Sequence, residues 1–306
     1  MASVIYISNK EMLENHRYNG ADKINFWRPM SQSRMADFHP GDFLFFYSKE
    51  KKKGEKAVVG YGTCVKTERL SFNAMWNKYK ELNGYPDKDK LKEAILDYTD
   101  KIPHKISCIY LENVVFFAGG IYLSEFGLKI PGKLESFYYL NRDGKDYTAD
   151  ILEKAHKIGI DSWSVSVGKS EAKEEWLRKD LRKARVSQIQ NGIGRLDFSD
   201  NVKKENRRIM YVLMSENKNI TKKNLDEDYY FEDKEDSYDI YFPCLIPLKN
   251  KDNIKAMVGE IEMYSQALKK EEDNARIVLV IKDSVAEYLK DKYEFPDNVK
   301  VLKFID

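Results

Sequence analysis

Short apolar runs bounded by turn residues dominate the first 120 positions of the chain. Apolar runs of roughly four to eight residues between turn residues are typical of buried β-strands. The pattern predicts strands at five places: 2–8, 43–47, 57–65, 106–111 and 113–117. Residues 26–29 are predicted to form a loop, because Pro29 excludes helix and biases Arg28 toward extended backbone.

Helical periodicity follows the early strands. Apolar residues at i, i+3, i+4 and i+7 predict a helix over 71–83, and a second helix is predicted over 88–98. Residues 146–200 are also predicted to be helical, and the charged run at 169–185 is interpreted as a solvated helix face.

The last hundred residues alternate between extended and helical patterns. The predicted strands are 208–214, 228–232, 240–248, 276–281 and 299–304, and the predicted helices are 255–269 and 284–293. The order β–β–β–α–β–α–β is typical of an α/β sheet with helical crossovers.

Length and pattern together predict two domains. A chain of 306 residues is long enough for two cores, and 42% of its residues are hydrophobic. We expect a first domain over 1–140, a helical connector over 141–204 and a second domain over 205–306. The fold class is predicted to be α/β in the last part and α+β overall.

Composition narrows the function. The chain has 52 basic and 50 acidic residues, which favours a confined contact, or no contact with nucleic acid at all, over non-specific coating of long nucleic acids. The three cysteines show no CxxC spacing and the four histidines no HxxxH spacing, so neither a disulfide framework nor a zinc site is predicted. The absence of a long apolar run predicts no membrane span, and the expected location is cytoplasmic.

A series of short motifs in the N-terminal part resembles a known domain. The motifs are Phe26-Trp27-Arg28-Pro29, Pro40-Gly41-Asp42-Phe43-Leu44-Phe45-Phe46, Val58-Val59-Gly60-Tyr61-Gly62, Glu68-Arg69-Leu70, Ala74-Met75-Trp76 and Ile106-Ser107-Cys108-Ile109-Tyr110-Leu111-Glu112-Asn113. Their order and spacing over some ninety residues resemble the PUA/EVE-like domain that modification-dependent restriction enzymes fuse to HNH nucleases. No HNH signature follows here.

The resemblance implies a small β-barrel with an aromatic pocket that accepts one base extruded from DNA, usually a modified base such as a modified cytosine. Trp27 beside Arg28 is the best local candidate, because an aromatic face then stands next to a cation that can pair with a phosphate or a base edge. Tyr61, Arg69 and Trp76 are the other candidate nucleic-acid contacts. Ordinary core packing is the alternative explanation for each of these aromatic residues. RNA ranks below DNA as the partner.

The C-terminal part resembles a PD-(D/E)XK nuclease core, in which acidic residues bind Mg²⁺ or Mn²⁺ and a lysine stabilises charge. The resemblance assigns Asp228 to the metal, Lys249 to the motif lysine, and Glu260 with Tyr264 to the motif helix. The strand glutamate falls on Pro247, which cannot bind metal.

Three interpretations of this departure remain open. In the first, Glu260 or Glu262 on the helix replaces the missing carboxylate and binds the metal together with Asp228. In the second, the domain is an inactive nuclease fold kept for binding. In the third, it is an unrelated α/β fold. The predicted function is therefore recognition of modified or foreign DNA coupled to metal-dependent cleavage in a defence role. The alternative is a non-catalytic nucleic-acid reader or adaptor whose second domain binds a partner protein, and a homodimer is also compatible with the sequence.

Overall fold

The computed structural model describes residues 2–29, 35–49, 56–130, 137–141, 145–194, 196–222, 229–234, 237–271 and 274–305. The chain divides into two compact units, Met1–Arg182 and Lys183–Asp306. This division falls inside one long helix, whereas the sequence places a separate connector over 141–204. The described residues between 145 and 182 therefore belong to the first unit.

The first unit combines one sheet with helices, as the α+β class requires. Its strands are β1 (Ser3–Ile7), β2 (Ile24–Arg28), β3 (Phe43–Lys49), β4 (Lys56–Leu70), β5 (Ile106–Ile121) and β6 (Phe137–Tyr139). Its helices are α1 (Lys10–Tyr18), α2 (Phe72–Tyr79), α3 (Lys88–Leu96), α4 (Thr148–Ile158), α5 (Ser162–Ser166) and the first half of α6 (Ser170–Ile193). Short 3₁₀ turns occupy Lys80–Asn83 and Leu123–Phe126.

The sheet of the first unit is mixed and, in the part of the chain that the structure describes, open. The strand order is β2-β5-β4-β3-β1-β6, with β1 parallel to β3 and the other neighbours antiparallel. The edges are β2 and β6, so the strands do not close into the β-barrel that the resemblance implied.

Aromatic packing nevertheless curls this sheet tightly. Strands β1 and β2 are four places apart in the sheet, which corresponds to roughly 19 Å in a flat sheet with strands about 4.8 Å apart. The rings of Tyr6 on β1 and Phe26 on β2 are only 5.1 Å apart between centroids. Phe26 lies 6.1 Å from Phe46, and Phe46 lies 5.6 Å from Phe116. The inner face is therefore filled by the protein's own rings, and the prediction of an aromatic-lined hollow for a base is wrong for the centre of the sheet.

Two local predictions for this unit are also wrong. Residues 26–28 continue a strand instead of forming a loop, because Pro29 follows an edge strand, where a proline costs no ladder hydrogen bond. The two strands predicted at 106–111 and 113–117 are one strand, β5, with an irregular residue at Asn113 (φ 52°). Asparagine tolerates this left-handed conformation better than most residues, so the irregular position does not end the strand.

The charged run at 169–185 is only partly a solvated helix face. The Lys173 side chain is completely buried, its Nζ donates to the Ala21 carbonyl oxygen at 3.1 Å, and Asp22 Oδ1 lies 3.7 Å away. Lys169 Nζ donates to Asp22 Oδ2 at 2.6 Å. Burial lowers the pKa of Lys173, and the charges of Asp22 and Asp161 oppose that effect. These contacts attach α6 to the segment that leads into β2.

The second unit is an α/β sheet with helices. Its elements are α7 (Asp200–Glu216), β7 (Ile220–Lys222), β8 (Tyr230–Asp233), β9 (Tyr238–Pro243), α8 (Lys251–Glu271), β10 (Ala275–Lys282), α9 (Asp283–Lys290) and β11 (Val299–Phe304). The strand order is β11-β10-β9-β8-β7. Strands β9, β10 and β11 are parallel, and β7 and β8 are antiparallel to their neighbours.

The predicted strand at 208–214 is wrong, because these residues lie within helix α7. A short apolar run does not distinguish a strand from a buried helix segment. The buried residues of α7 are Val202, Asn206, Ile209 and Met210, whose spacing is helical. The first strand of the second unit is instead β7, which follows α7 in the chain.

His16 on α1 is a buried titratable group without a stabilising charge. It is 3% exposed, and its Nε2 has no hydrogen-bond partner among the described residues. Burial lowers the pKa of His16 to about 3. The folded protein therefore keeps the imidazole neutral below the ordinary pKa of about 6.5.

We predict that His16→Leu makes the protein less sensitive to acid. The folded state binds fewer protons at His16 than the unfolded chain, so the wild type loses about 1.4 kcal/mol of unfolding free energy per pH unit as the pH falls from 6.5 toward 3. Urea unfolding of both proteins at pH 7 and pH 4.5 measures the difference. The pKa of Asp42, raised by burial to about 6, affects both proteins equally and cancels in the comparison. Parallel pH profiles for wild type and variant would contradict the prediction.

Candidate functional site

The candidate site is a cleft of about 400 Å³ at one end of the curled sheet of the first unit, here called the mouth cleft. Strands β2, β4 and β5 line it. Its lining residues are Arg28, Met35, Thr67, Glu68, Arg69, Ser107, Cys108 and Ile109. The volume lies within the range of about 300–1,000 Å³ that is usual for small-ligand sites.

One row of cross-strand neighbours carries the polar groups of the mouth cleft. Arg28 on β2 is paired with Ser107 on β5, and Ser107 is paired with Arg69 on β4. Residues directly opposite each other in a sheet lie on the same face, about 5 Å apart at Cβ. Two guanidinium groups with a hydroxyl between them therefore share one edge of the cleft, and each can donate to an anion or a carbonyl oxygen.

Arg28 is the unusual member of this row. It is 7% exposed, and its Nε and one terminal nitrogen are buried with no hydrogen-bond partner among the described residues. Its guanidinium carbon lies 5.1 Å from the centre of the Tyr6 ring. A buried cation without an anion or an acceptor is costly, and a ring face compensates only partly.

The only carboxylate lining the mouth cleft among the described residues is already neutralised by other groups. Both oxygens of Glu68 accept from Lys78 Nζ at 2.7 Å, and the Tyr79 hydroxyl also donates to Glu68. Burial raises the pKa of Glu68, but the hydrogen bonds from Lys78 and Tyr79 and the charge of Lys66 outweigh it, so the pKa lies below its usual value. The cleft therefore presents net positive groups to a ligand.

A second cleft of about 240 Å³ lies where the ends of β1 and β2 meet. Arg28 lines this cleft as well as the mouth cleft. Trp27 also lines it, but the ring is only 5% exposed and its Nε1 donates to the Asn83 carbonyl oxygen at 2.9 Å. The sequence predicted that Trp27 stands in a loop. Its side chain is instead buried at the edge of the core.

The other two aromatic candidates lie away from the mouth cleft. Tyr61 is completely buried and its hydroxyl donates to Asp180 Oδ2 at 3.0 Å. Burial, together with the Asp180 charge, raises the pKa of Tyr61 well above its usual value. Trp76 on α2 is half-buried and packs against the core of the first unit. Neither ring is placed to stack on a ligand in the cleft.

The sequence-predicted residues of the second unit are only partly brought together. Glu260 and Tyr264 on α8 line one small apolar cavity of about 40 Å³, together with Tyr229. Glu260 Oε2 accepts from the Leu196 amide at 3.2 Å, and the Tyr264 hydroxyl donates to the Gly194 carbonyl oxygen at 3.0 Å. Lys249 is exposed in a turn and does not line this cavity. Asp228 lies outside the described residues.

The described residues do not by themselves fit a Mg²⁺ or Mn²⁺ site. In that part of the chain, no three His, Cys, Asp or Glu side chains are grouped closely enough to hold a metal ion. Glu260 is the single carboxylate of its cavity among the described residues. No helix in the same part of the chain is both long and apolar enough for a membrane span.

Sequence reasoning missed Ser107 and Thr67 as members of the cleft. Ser107 lies within one of the motifs but was given no role there, and Thr67 lies directly before the motif Glu68-Arg69-Leu70. Only the strand register shows that Ser107 stands between the two arginines. The signal that could have identified Ser107 from the sequence is that it is a polar residue within a predicted buried strand.

Comparisons with known proteins give structural neighbours only. No family model matches the sequence, and no curated protein matches it. Crystal structures of the ASCH protein from Zymomonas mobilis, and of a point variant of it, are similar to this chain with 14% and 13% identity and TM-scores of 0.33 and 0.34. Each of these two alignments covers 46% of this chain and 89% of the ASCH chain. The strand order and contacts given above define the fold independently of this likeness.

We predict that Arg28→Met stabilises the protein. The substitution keeps a long side chain of similar reach and removes a buried cation that lacks a partner, so the free energy of unfolding should rise by about 1–4 kcal/mol. Urea unfolding measures the change. The control is Arg69→Met, which alters an exposed arginine of the same cleft and should stay within about 0.5 kcal/mol. A destabilised Arg28→Met protein would mean that the guanidinium has a structural role.

Proposed function

We propose that the first unit is a nucleic-acid reader and that its ligand is DNA in which one modified base, such as a modified cytosine, enters the mouth cleft. The observation that carries the proposal is the buried, unpartnered guanidinium of Arg28. A phosphate oxygen or the carbonyl edge of a base supplies the acceptor that this group lacks.

The rest of the cleft supports the same class of ligand. Ser107 and Arg69 continue the donor row from Arg28 across three strands, so that more than one oxygen of a ligand can be bound at once. The guanidinium carbon of Arg28 lies 5.1 Å from the centre of the Tyr6 ring, and a planar guanidinium favours bidentate contacts with a ligand. A base held here lies at the open end of the curled sheet, because rings already fill the centre.

The overall charge is compatible with a confined site. The chain carries a net charge of +2, so strong attraction to long nucleic acid by total charge is not expected. Affinity would depend on a few placed contacts and on the cost of extruding a base, which is a few kcal/mol and smallest for bases that are mispaired or unpaired.

Arg28→Ala should abolish preference for the modified base. Charged hydrogen bonds contribute about 1.5–3 kcal/mol, so affinity for the preferred duplex should fall about 10- to 100-fold. Fluorescence anisotropy with matched duplexes carrying cytosine, 5-methylcytosine or 5-hydroxymethylcytosine, and with RNA of the same sequence, measures the effect.

Two variants control this measurement. Arg28→Lys keeps the charge but loses the planar guanidinium that makes bidentate contacts. It should retain weak binding of DNA without a preference for the modified base. Lys92→Ala removes an exposed charge from α3 and should bind as the wild type does. Equal affinities of wild type and Arg28→Ala for every duplex would overturn the proposal, and tighter binding of the RNA would reassign the ligand.

Metal-dependent cleavage by the second unit is a further candidate activity. The observation in its favour is that Glu260 and Tyr264 line one cavity with Tyr229, the residue that follows Asp228. Its requirement is a second carboxylate, for which Asp228 is the candidate. The Leu196 amide bound to Glu260 is the contact that a metal ion would have to displace.

Incubation of the bound duplexes with Mg²⁺ or Mn²⁺ tests cleavage. If Glu260 is a ligand, Glu260→Gln should reduce the cleavage rate at least about 100-fold, as removal of a group acting on the reacting centre does. The matched control is Glu262→Gln, two positions along α8, whose carboxylate accepts from Tyr293 and Gln266. If the wild type binds the duplexes but cleaves none of them, the proposal of cleavage is overturned and the protein is a non-catalytic reader.

A further inference from the structure

Helix α7 of the second unit has one buried face and one exposed face that differ sharply in chemistry. The buried face packs Val202, Asn206, Ile209 and Met210 into the unit. The exposed face carries Lys204, Arg207, Arg208 and Tyr211. These four positions are related by three-, four- and seven-residue steps, so they lie side by side along one stripe of the helix. This stripe is here called the α7 basic face.

The cations of the α7 basic face lack acidic partners. Lys204, Arg207 and Arg208 make no ion pair or hydrogen bond with side chains among the described residues. Glu205, the acid next in sequence, is bound to Lys282 at 3.1 Å instead. Asp200 is exposed on the same stripe, four positions before Lys204, and makes no ion pair with it in the described part of the chain. Three neighbouring cations on one helix face repel one another, so their clustering costs stability unless something outside the unit compensates.

Several exposed lysines on other helices of the chain are paired with acids. Lys10 pairs with Glu14, Lys157 with Glu153 and Lys179 with Glu175, each four residues apart. This is the usual arrangement in a chain with nearly equal numbers of acids and bases. The α7 basic face lacks such pairs. Lys90 and Lys92 on α3 are also unpaired in the described part of the chain, but only the α7 basic face combines unpaired arginines with an exposed aromatic side chain among these helices.

Tyr211 adds an apolar element to the same face. It is 77% exposed, the largest exposure of any aromatic side chain among the described residues. It lies four positions after Arg207 and three after Arg208, within contact range of both on the helix surface. Cations beside an exposed ring are the combination that binds a nucleic-acid strand, with the cations on phosphates and the ring against a base or sugar.

We infer that the α7 basic face binds the phosphate backbone of a nucleic acid, through Lys204, Arg207 and Arg208, with Tyr211 against the strand. The inference takes the identity of the ligand from the proposed function of the first unit, but it depends on no residue of the mouth cleft. Backbone binding is independent of the base sequence and of base modification. It would supply general affinity, while Arg28 would supply selectivity.

The test uses the full chain with a triple variant, Lys204→Ala, Arg207→Ala and Arg208→Ala. Anisotropy titrations with an unmodified duplex and with a single strand of the same sequence are made between 50 and 200 mM NaCl. Loss of three phosphate contacts should lower the slope of log K against log salt by about 2.7 for the duplex and weaken binding at 50 mM at least about tenfold. The loss should be equal for modified and unmodified DNA.

Matched variants separate contact from net charge. Lys255→Ala, Lys270→Ala and Lys290→Ala together remove the same charge from exposed positions on α8 and α9 and should leave the slope unchanged. Arg207→Lys with Arg208→Lys keeps the charge and should keep the slope. Tyr211→Ala should weaken binding of the single strand more than binding of the duplex.

The outcomes distinguish this inference from the proposed function. An unchanged slope in the α7 triple variant overturns the inference, even if Arg28→Ala loses its preference. A reduced slope with no effect of Arg28→Ala supports the inference and overturns the function proposed for the mouth cleft. Equal losses in the α7 and control triple variants would show a net-charge effect and also overturn the inference.

Discussion

The packing of aromatic rings inside the sheet of the first unit is the constraint on which its curl and the position of the mouth cleft depend. Tyr6 and Phe26 belong to strands that are far apart in the sheet, and their contact at 5.1 Å requires the sheet to curl. Burial of large rings is among the strongest apolar contributions to stability. Since rings fill the centre, the cleft that Arg28 lines lies at an end of the sheet in the described part of the chain.

The position of Arg28 is unfavourable for stability, and the proposed function would account for it. A guanidinium that is 7% exposed and lacks a partner among the described residues is unfavourable in the folded protein. Such groups persist in proteins mostly where a ligand supplies the missing interaction. The paired state of Glu68 is consistent with this view, because a free carboxylate beside the row of arginines would bind Arg28 itself and close the site to anions.

The sequence predicted elements well where the apolar pattern was long or strongly periodic. The strands over 43–47 and 57–65 and the helices over 88–98 and 255–269 are present with shifted ends. It failed at 208–214, where a mostly apolar segment of helix α7 resembled a strand, and at 26–29, where a proline that only ends a strand was taken to mark a loop. In both cases the local pattern was compatible with two structures, and packing against the rest of the unit decided between them.

For the site, the sequence determined which residues could carry the chemistry: Arg28 and Arg69 were identifiable as cations within a resemblance to a base-binding domain. It also determined the α+β class, because apolar periodicity is a local property of the chain. Tertiary structure alone decided that Ser107 joins the two arginines, that Trp27 and Tyr61 are buried in the core, and that Lys204, Arg207 and Arg208 are left without acids. The physical reason is that burial and pairing depend on residues distant in sequence, which a strand register or a helix contact brings together and a one-dimensional pattern does not contain.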